Sequence, residues 1–428
     1  MSTSAVHLVS TIPVRDFGSE TLRVGDLNGD GAPDFLFVQC IFETREITCL
    51  TATTIHGEML WQIGKPGAAN GRLYSDLPVQ VYDWDGDGRN EVLYITQSTY
   101  AELVPGSGWA RQQALRYEGV ATLHVLDAAT GRERSTLPMP APADDCILFA
   151  DLTGRGRRQD LVVKDRYWNM WGISHEGEVL WHWKGSPGHY PAIADLDGDG
   201  RDEVFVGFAL IDHDGTVLFS HDAGEHHQDA VYILRAPDGG WRLVFGNHGL
   251  HCLTVEGEML WEYPLTEAQH VLAGRFRNDA PAHIMTIDRG QRYQVGGEER
   301  SPATLYCYDL DGRELWNRVQ PAGSWAAAIV PINWRGTDEP TDVLVYNRGP
   351  EAHAAIYDGH GEIVDTFQMR YTSDLPGVEP QYYCLRADVW GDSRDEVIFF
   401  GSAGASVYAN ARPLALPTFY NNTLYPGM

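Results

Sequence analysis

Three things are scarce in this 428-residue chain: cysteine, basic side chains and long apolar runs. Six cysteines are too few for a disulfide framework. Cys40 and Cys49 are placed to meet across a hairpin, but free thiols in a reducing compartment are the plainer expectation. Lysine and arginine number 32 against 59 aspartates and glutamates, a net charge of −27. A nucleic-acid backbone or an anionic membrane surface is a poor partner for such a chain. No stretch nears the roughly 20 apolar residues of a membrane span. The opening, "MSTSAVHLVSTIPVRDFGSE", lacks a basic segment followed by an apolar one. These absences lead to the expectation of a soluble, monomeric, cytoplasmic protein, or a secreted one if a leader has been trimmed. No window carries a 3.6-residue apolar period, which disfavours a helical solenoid.

Glycine (45), proline (23), tyrosine (20) and tryptophan (13) are plentiful. Many turns and many half-buried rings fit an all-β protein. Length alone would allow two or three domains, but a repeat organises the whole chain as one. A short apolar strand, an Asp/Gly loop and a second apolar strand recur at "RVGDLNGDGAPDFLFV", "QVYDWDGDGRNEVLYI", "LFADLTGRGRRQDLVV", "AIADLDGDGRDEVFVG" and "LRADVWGDSRDEVIFF". Weaker copies are "DAVYILRAPDGGWRLVFG", "HVLAGRFRNDAPAHIMTI" and "AIVPINWRGTDEPTDVLVY". A hairpin of the type "HEGEVLWHW" follows most copies. Each unit therefore holds four strands, A to D, and the period from Asp26 to Asp388 is about 52 residues. The expected fold is a single all-β propeller over residues 1–428, with eight four-stranded antiparallel blades; seven is the alternative. "AVHLVSTIPV" is the candidate for an outer strand that closes the last blade.

Three loops alternate oxygen-bearing side chains around glycines: Asp26, Asn28, Asp30 and Asp34; Asp83, Asp85, Asp87 and Glu91; Asp195, Asp197, Asp199 and Glu203. This spacing suits the 6–8 oxygens of Ca²⁺, here in a structural role. The plainer alternative is a loop closed by Asx turns without metal. In "DLTGRGRRQD" Arg155 and Arg157 replace acids, so that copy is expected to lack an ion. No pair of His or Cys has the sequence spacing of a zinc site.

Turns alternate between the two faces of an up-and-down blade. The cation loops, being A–B turns, lie on one face; the B–C loops and D-to-A links lie on the other. That second face collects Lys164, Arg166 and Tyr167 ("KDRY"), His189 and Tyr190 ("GHYP"), His227 and Asp229, His248, His270, Arg289, Asn347, Arg348 and Tyr383. Any one of them is more often structural. Together they make a basic, aromatic, His-rich funnel in an acidic chain, suited to an anionic sugar. A sugar-binding scaffold propeller without catalysis is a second reading. A glycoside hydrolase is a third, disfavoured because the funnel lacks two free facing carboxylates.

"DLDGDGRDEV", "KDRY", "GHYP" and the closing "DVWGDSRDEVIFF…YNNTLYPG" resemble the β-propeller polysaccharide lyases, among them rhamnogalacturonan, ulvan and rhamnose–glucuronate lyases. The resemblance runs over nearly the whole chain. Cation loops of this kind also occur in integrin-like propellers, so "KDRY" with "GHYP" is the more specific part. The resemblance implies β-elimination at a uronate of a rhamnose-containing acidic polysaccharide or oligosaccharide: a base takes the C5 proton and the C4–O bond breaks. In that light His189 is the first candidate base, with His227 and His270 in reserve. Tyr190 or Tyr167 would protonate the leaving oxygen. Arg166, Lys164 and Arg289 would neutralise the carboxylate, and Arg348, His248, Asn347 and Tyr383 would bind the sugar.

Overall fold

The computed structural model describes all residues except 1–4, 14–16, 18–20, 42–44, 68–76, 99–119, 144–146, 166, 225, 291–301, 322, 325–326, 337–338, 349–352, 369–381, 402–403 and 415–428. The described residues form eight four-stranded antiparallel sheets arranged as a ring, an eight-bladed β-propeller. Blade one is Thr21–Gly25, Asp34–Cys40, Ile47–Thr54 and Met59–Gly64; blade two begins at Val79, three at Ile147, four at Ala192, five at Ala230, six at Ala268 and seven at Ala327. Blade eight is Tyr382–Ala387, Glu396–Gly401, Gly404–Asn410 and, as its outer strand, the N-terminal Val6–Pro13. Each of the five strong and three weak sequence copies is one blade. Closure by the N-terminal strand is as expected.

The strand sequences explain the layers. B strands such as Asp34–Cys40 ("DFLFVQC") are buried at every position, and read as near-continuous apolar runs because both faces meet neighbouring blades. Outer strands such as Met259–Pro264 are half exposed and alternate. The first strands line the centre, where neighbours such as Ala192–Ala194 and Ala230–Arg235 touch.

The second sequence pattern, a Gly turn followed by an apolar–Trp pair, stitches one blade to the next. The indoles of Trp61, Trp181, Trp261 and Trp316 donate to the Ala128, His213, Leu310 and Gly359 carbonyls, each in the C–D turn of the following blade, at 2.7–3.0 Å. The glycines of those turns, Gly131, Gly215, Gly312 and Gly361, have positive φ, and a Cβ on any would come within 2.9 Å of the Trp ring. Glycine is thus demanded twice there, by backbone and by packing. Cys40 and Cys49 lie on adjacent strands as buried thiols with no disulfide between them.

Candidate active site

"KDRY" and "GHYP" are two halves of one construction. Lys164, at the end of a B strand, is 1% exposed, and its ammonium donates to the Gly188 carbonyl at 2.8 Å. Asp165 closes the B–C loop by accepting from the Trp168 and Asn169 N–H groups at 3.1 and 2.7 Å. Gly188 has φ +63°, and a Cβ there would meet the Gln228 side chain at 2.3 Å. Gln228 is fully buried, and its carbonyl accepts from the His189 N–H at 3.2 Å. The link before blade four is thereby locked to the link before blade five.

On that base four side chains converge. The Tyr167 hydroxyl lies 3.1 Å from His189 Nε2. Asp229 Oδ1 stands 3.8 Å from His189 Nε2 and 3.6 Å from His227 Nε2. The Tyr167 ring packs on His227 at 4.4 Å between centroids and edge-on to His189 at 5.5 Å. Burial pushes the Asp229 carboxyl up to about 6, against the pull of His189; Glu267 pushes it further up and Gln269 down.

The rest of the funnel surrounds this cluster. His270 is pushed down to about 3, first by its depth in the fold and then by Arg348 and His189. Arg348 donates to the Tyr383 hydroxyl at 3.2 Å and lies over that ring. Arg289 is 4% exposed and faces Glu267 at 3.7 Å. The Nε atoms of both arginines are buried without a hydrogen-bond partner. His248 Nδ1 donates to the Thr266 carbonyl at 2.8 Å, and its ring lies 5.0 Å from that of His226.

Several sequence expectations take a different form here. Lys164 is buried and anchors Gly188 from beneath its link. Asn347 is fully buried and donates to the Gly323 carbonyl at 3.2 Å, a bracing position. Tyr190 is 42% exposed, whereas Tyr167 touches His189. Arg166 lies outside the described residues. Asp229 was read onto this face without a role, and Glu267 was not read onto it. The signal for Asp229 was "HQD": alternate positions on an extended link put His227 and Asp229 on one side. Sequence spacing also concealed that His189, His227 and Asp229 bring three ligand atoms within 4.8 Å of one another, a set able to hold a divalent cation.

The A–B loops lie on the opposite face and differ among themselves. Asp26 and Asp195 each accept from two glycine N–H groups of their own loop at 2.7–3.1 Å. The ninth-position acids accept from the loop's second N–H, as Asp34 does from Leu27 and Glu203 from Leu196. Glu203 Oε1 is buried with no hydrogen-bond partner, and burial pushes the carboxyl up to about 7. In blade two the acids are met by guanidinium groups. Arg134 donates to Glu91 at 2.5 Å and Asp85 at 2.8 Å, and Arg157 of blade three reaches Asp83 at 3.3 Å. Asp30, Asp87, Asp197 and Asp199 are exposed acids of the same loops, and all four close Asx turns, each accepting from the N–H two residues on.

A model of the rhamnogalacturonan lyase family 11 C-terminal domain matches residues 161–263. That span begins at the Lys164 strand and holds Tyr167, His189, His227, Asp229 and His248. The chain resembles the rhamnogalacturonan lyases. It is 25% identical over 265 residues to the rhamnogalacturonan exolyase YesX of Bacillus subtilis (strain 168), covering 51% of this chain and 42% of that protein. To the endolyase YesW of the same organism it is 24% identical over 261 residues, covering 50% and 41%. The match thus spans less than half of either relative. The crystal structure of YesX superposes with a TM-score of 0.65 at 20% identity, over 96% of this chain and 76% of that one. The Vibrio cholerae biofilm matrix protein Bap1 superposes at 0.61 with 13% identity, over 96% and 92%. Likeness at this identity is one of fold, and a fold shared with a matrix protein does not decide an activity. The sequence similarity is to polysaccharide lyases.

Proposed function

We propose that this protein cleaves a rhamnose- and uronate-containing polysaccharide or oligosaccharide by β-elimination. The observation that carries this reading is the contact of Tyr167 with His189, with Asp229 beside it, inside the segment that matches the rhamnogalacturonan lyase family model. The C5 proton of a uronate is weakly acidic while the carboxylate is charged, so the site must neutralise that charge. Arg348 and Arg289, with unpartnered Nε atoms, are the groups to do so. His189 takes the C5 proton, the C4–O bond breaks, and a C4=C5 double bond forms. The Tyr167 hydroxyl gives its proton to the leaving oxygen, and the proton held by His189 returns to Tyr167 across their 3.1 Å contact. Asp229 favours the imidazolium that forms in between. The same three ligand atoms would suit a cation, which would supply charge to the carboxylate. The shorter approach of Tyr167 to His189 favours proton transfer.

The test is the ultraviolet absorbance of the unsaturated uronate during digestion of rhamnogalacturonan, ulvan and other uronic polysaccharides. Wild type is expected to give a rise with at least one. His189→Ala is expected to abolish it without lowering the melting temperature. Binding without any rise would instead support a carbohydrate-binding propeller.

For the opposite face, we propose structural Ca²⁺ in the loops of blades one and four. Asp26, Asn28, Asp30 and Asp34 would hold one ion, and Asp195, Asp197, Asp199 and Glu203 the other. The buried, unpartnered Glu203 Oε1 fits a cation there. In blade two, Arg134 already stands against two of the acids, so the expected set Asp83, Asp85, Asp87 and Glu91 is proposed to go without an ion.

A further inference from the structure

Beside the Tyr167–His189 cluster, a groove of about 920 Å³ runs between blades three and four. Tyr167 and His227 form its inner end, so it opens directly from the cluster. Trp168 and Trp183 of blade three and Phe208 of blade four line it further out. All three rings are half-buried. The Trp183 ring lies across Gly185, where a Cβ would come within 2.2 Å of it.

The groove differs in charge from the centre. Arg289 and Arg348 belong to blades six and seven. The groove's lining contains no arginine, and its one lysine, Lys184, is balanced by Asp222. Its volume is that of a small-molecule site, with room for more than one pyranose. Flat rings without net charge suit the apolar C–H faces of a sugar that carries no carboxylate. A uronate would be drawn to the cations instead.

We propose that this groove is the subsite for the neutral sugar next to the cleaved uronate, a hexose or deoxyhexose stacked on Trp183, and that it orients the chain across Tyr167 and His189. The proposal rests on the lyase reading. A polymer then lies radially, with its uronate at the funnel and its neutral neighbour between two blades.

The experiment compares Trp183→Ala with wild type on oligosaccharides of increasing length cut from a polysaccharide that wild type cleaves. For saccharides long enough to fill the groove, kcat/KM is expected to fall tenfold or more. The loss is expected to shrink for the shortest cleavable saccharide, and Trp183→Phe is expected to recover most of it. Circular dichroism and a melting curve check the fold. If Trp183→Ala does not fold, Gly185→Ala, which displaces the ring, takes its place with the same expectation. A folded variant with wild-type kcat/KM at every length, or with one loss at all lengths, would overturn the subsite and leave the lyase reading standing. A wild type that cleaves no uronic saccharide would overturn both.

Discussion

Burial lifts the Asp229 carboxyl to about 6 although His189 stands beside it. Its ionised form is therefore held at a cost in the folded state. The group takes up its proton at a higher pH when folded than when unfolded, so its contribution to stability is lost as pH rises from about 4 to 6. Two consequences separate function from stability. Activity is expected to fall as pH drops through about 6, when Asp229 no longer supports the imidazolium of His189. Asp229→Asn is expected to lower kcat on the order of 10²-fold, the scale of an acid–base contribution, and to remove that acid limb. The same variant should melt higher than wild type at pH 7 and alike at pH 4. A lower melting temperature at pH 7 would show that Asp229 is a structural group. Lys164 teaches a complementary point. A charged residue at a strand end reads as a surface group, yet here the next link folds over it and takes its ammonium as a carbonyl donor. Nothing local in "KDRY" distinguishes the two fates.

Among the elements, the A–B loops show how far a motif reaches. All three acidic copies fold alike, with the first Asp accepting from glycine N–H groups; the Arg-bearing copy is one residue longer, Asp151 accepting from Arg155 and Gly156 at 2.8 and 2.6 Å and Asp160 closing the loop on Thr153. The loop shape thus follows from the first and ninth acids with the glycines, and was legible in the sequence. The guanidinium that meets the acids of blade two was not, because Arg134 comes from an outer strand 43 residues from Glu91. Calcium titration of the metal-free protein by calorimetry is expected to show two sites, and Arg134→Ala to show a third. An unchanged count would overturn the proposal that the guanidinium keeps an ion out of blade two. The Gly–Trp hairpins read only as strand signals in the sequence. Their role between blades needed the neighbouring turn.

The molecule as a whole is a closed ring, and its seam is a small piece of chain. Ile12 is the one buried residue of the Val6–Pro13 strand. It packs against blade eight, and a Cβ on Gly57 of blade one would meet it at 3.2 Å, so it spans the seam. Ile12→Ala is expected to cost roughly 2–4 kcal/mol, measured by urea denaturation, because the rigid ring cannot collapse into the space left. A cost below about 1 kcal/mol would mean that the seam is held by backbone pairing alone.

The number of blades, the strand order, the closing strand and the assignment of two kinds of loop to two faces were all determined by the sequence itself. Each depends on local pattern: alternation of side chains, glycine where φ must be positive, and a period of about 52 residues. Which side chains meet was decided by tertiary structure. Tyr167 comes from a B–C loop and His189 and Asp229 from two links, and only the packing of consecutive blades carries them to one place in the funnel. The same packing buries Lys164, sets Arg134 against a cation loop and opens a groove beside Trp183. Those outcomes depend on the separation of segments in space, which a one-dimensional pattern does not encode.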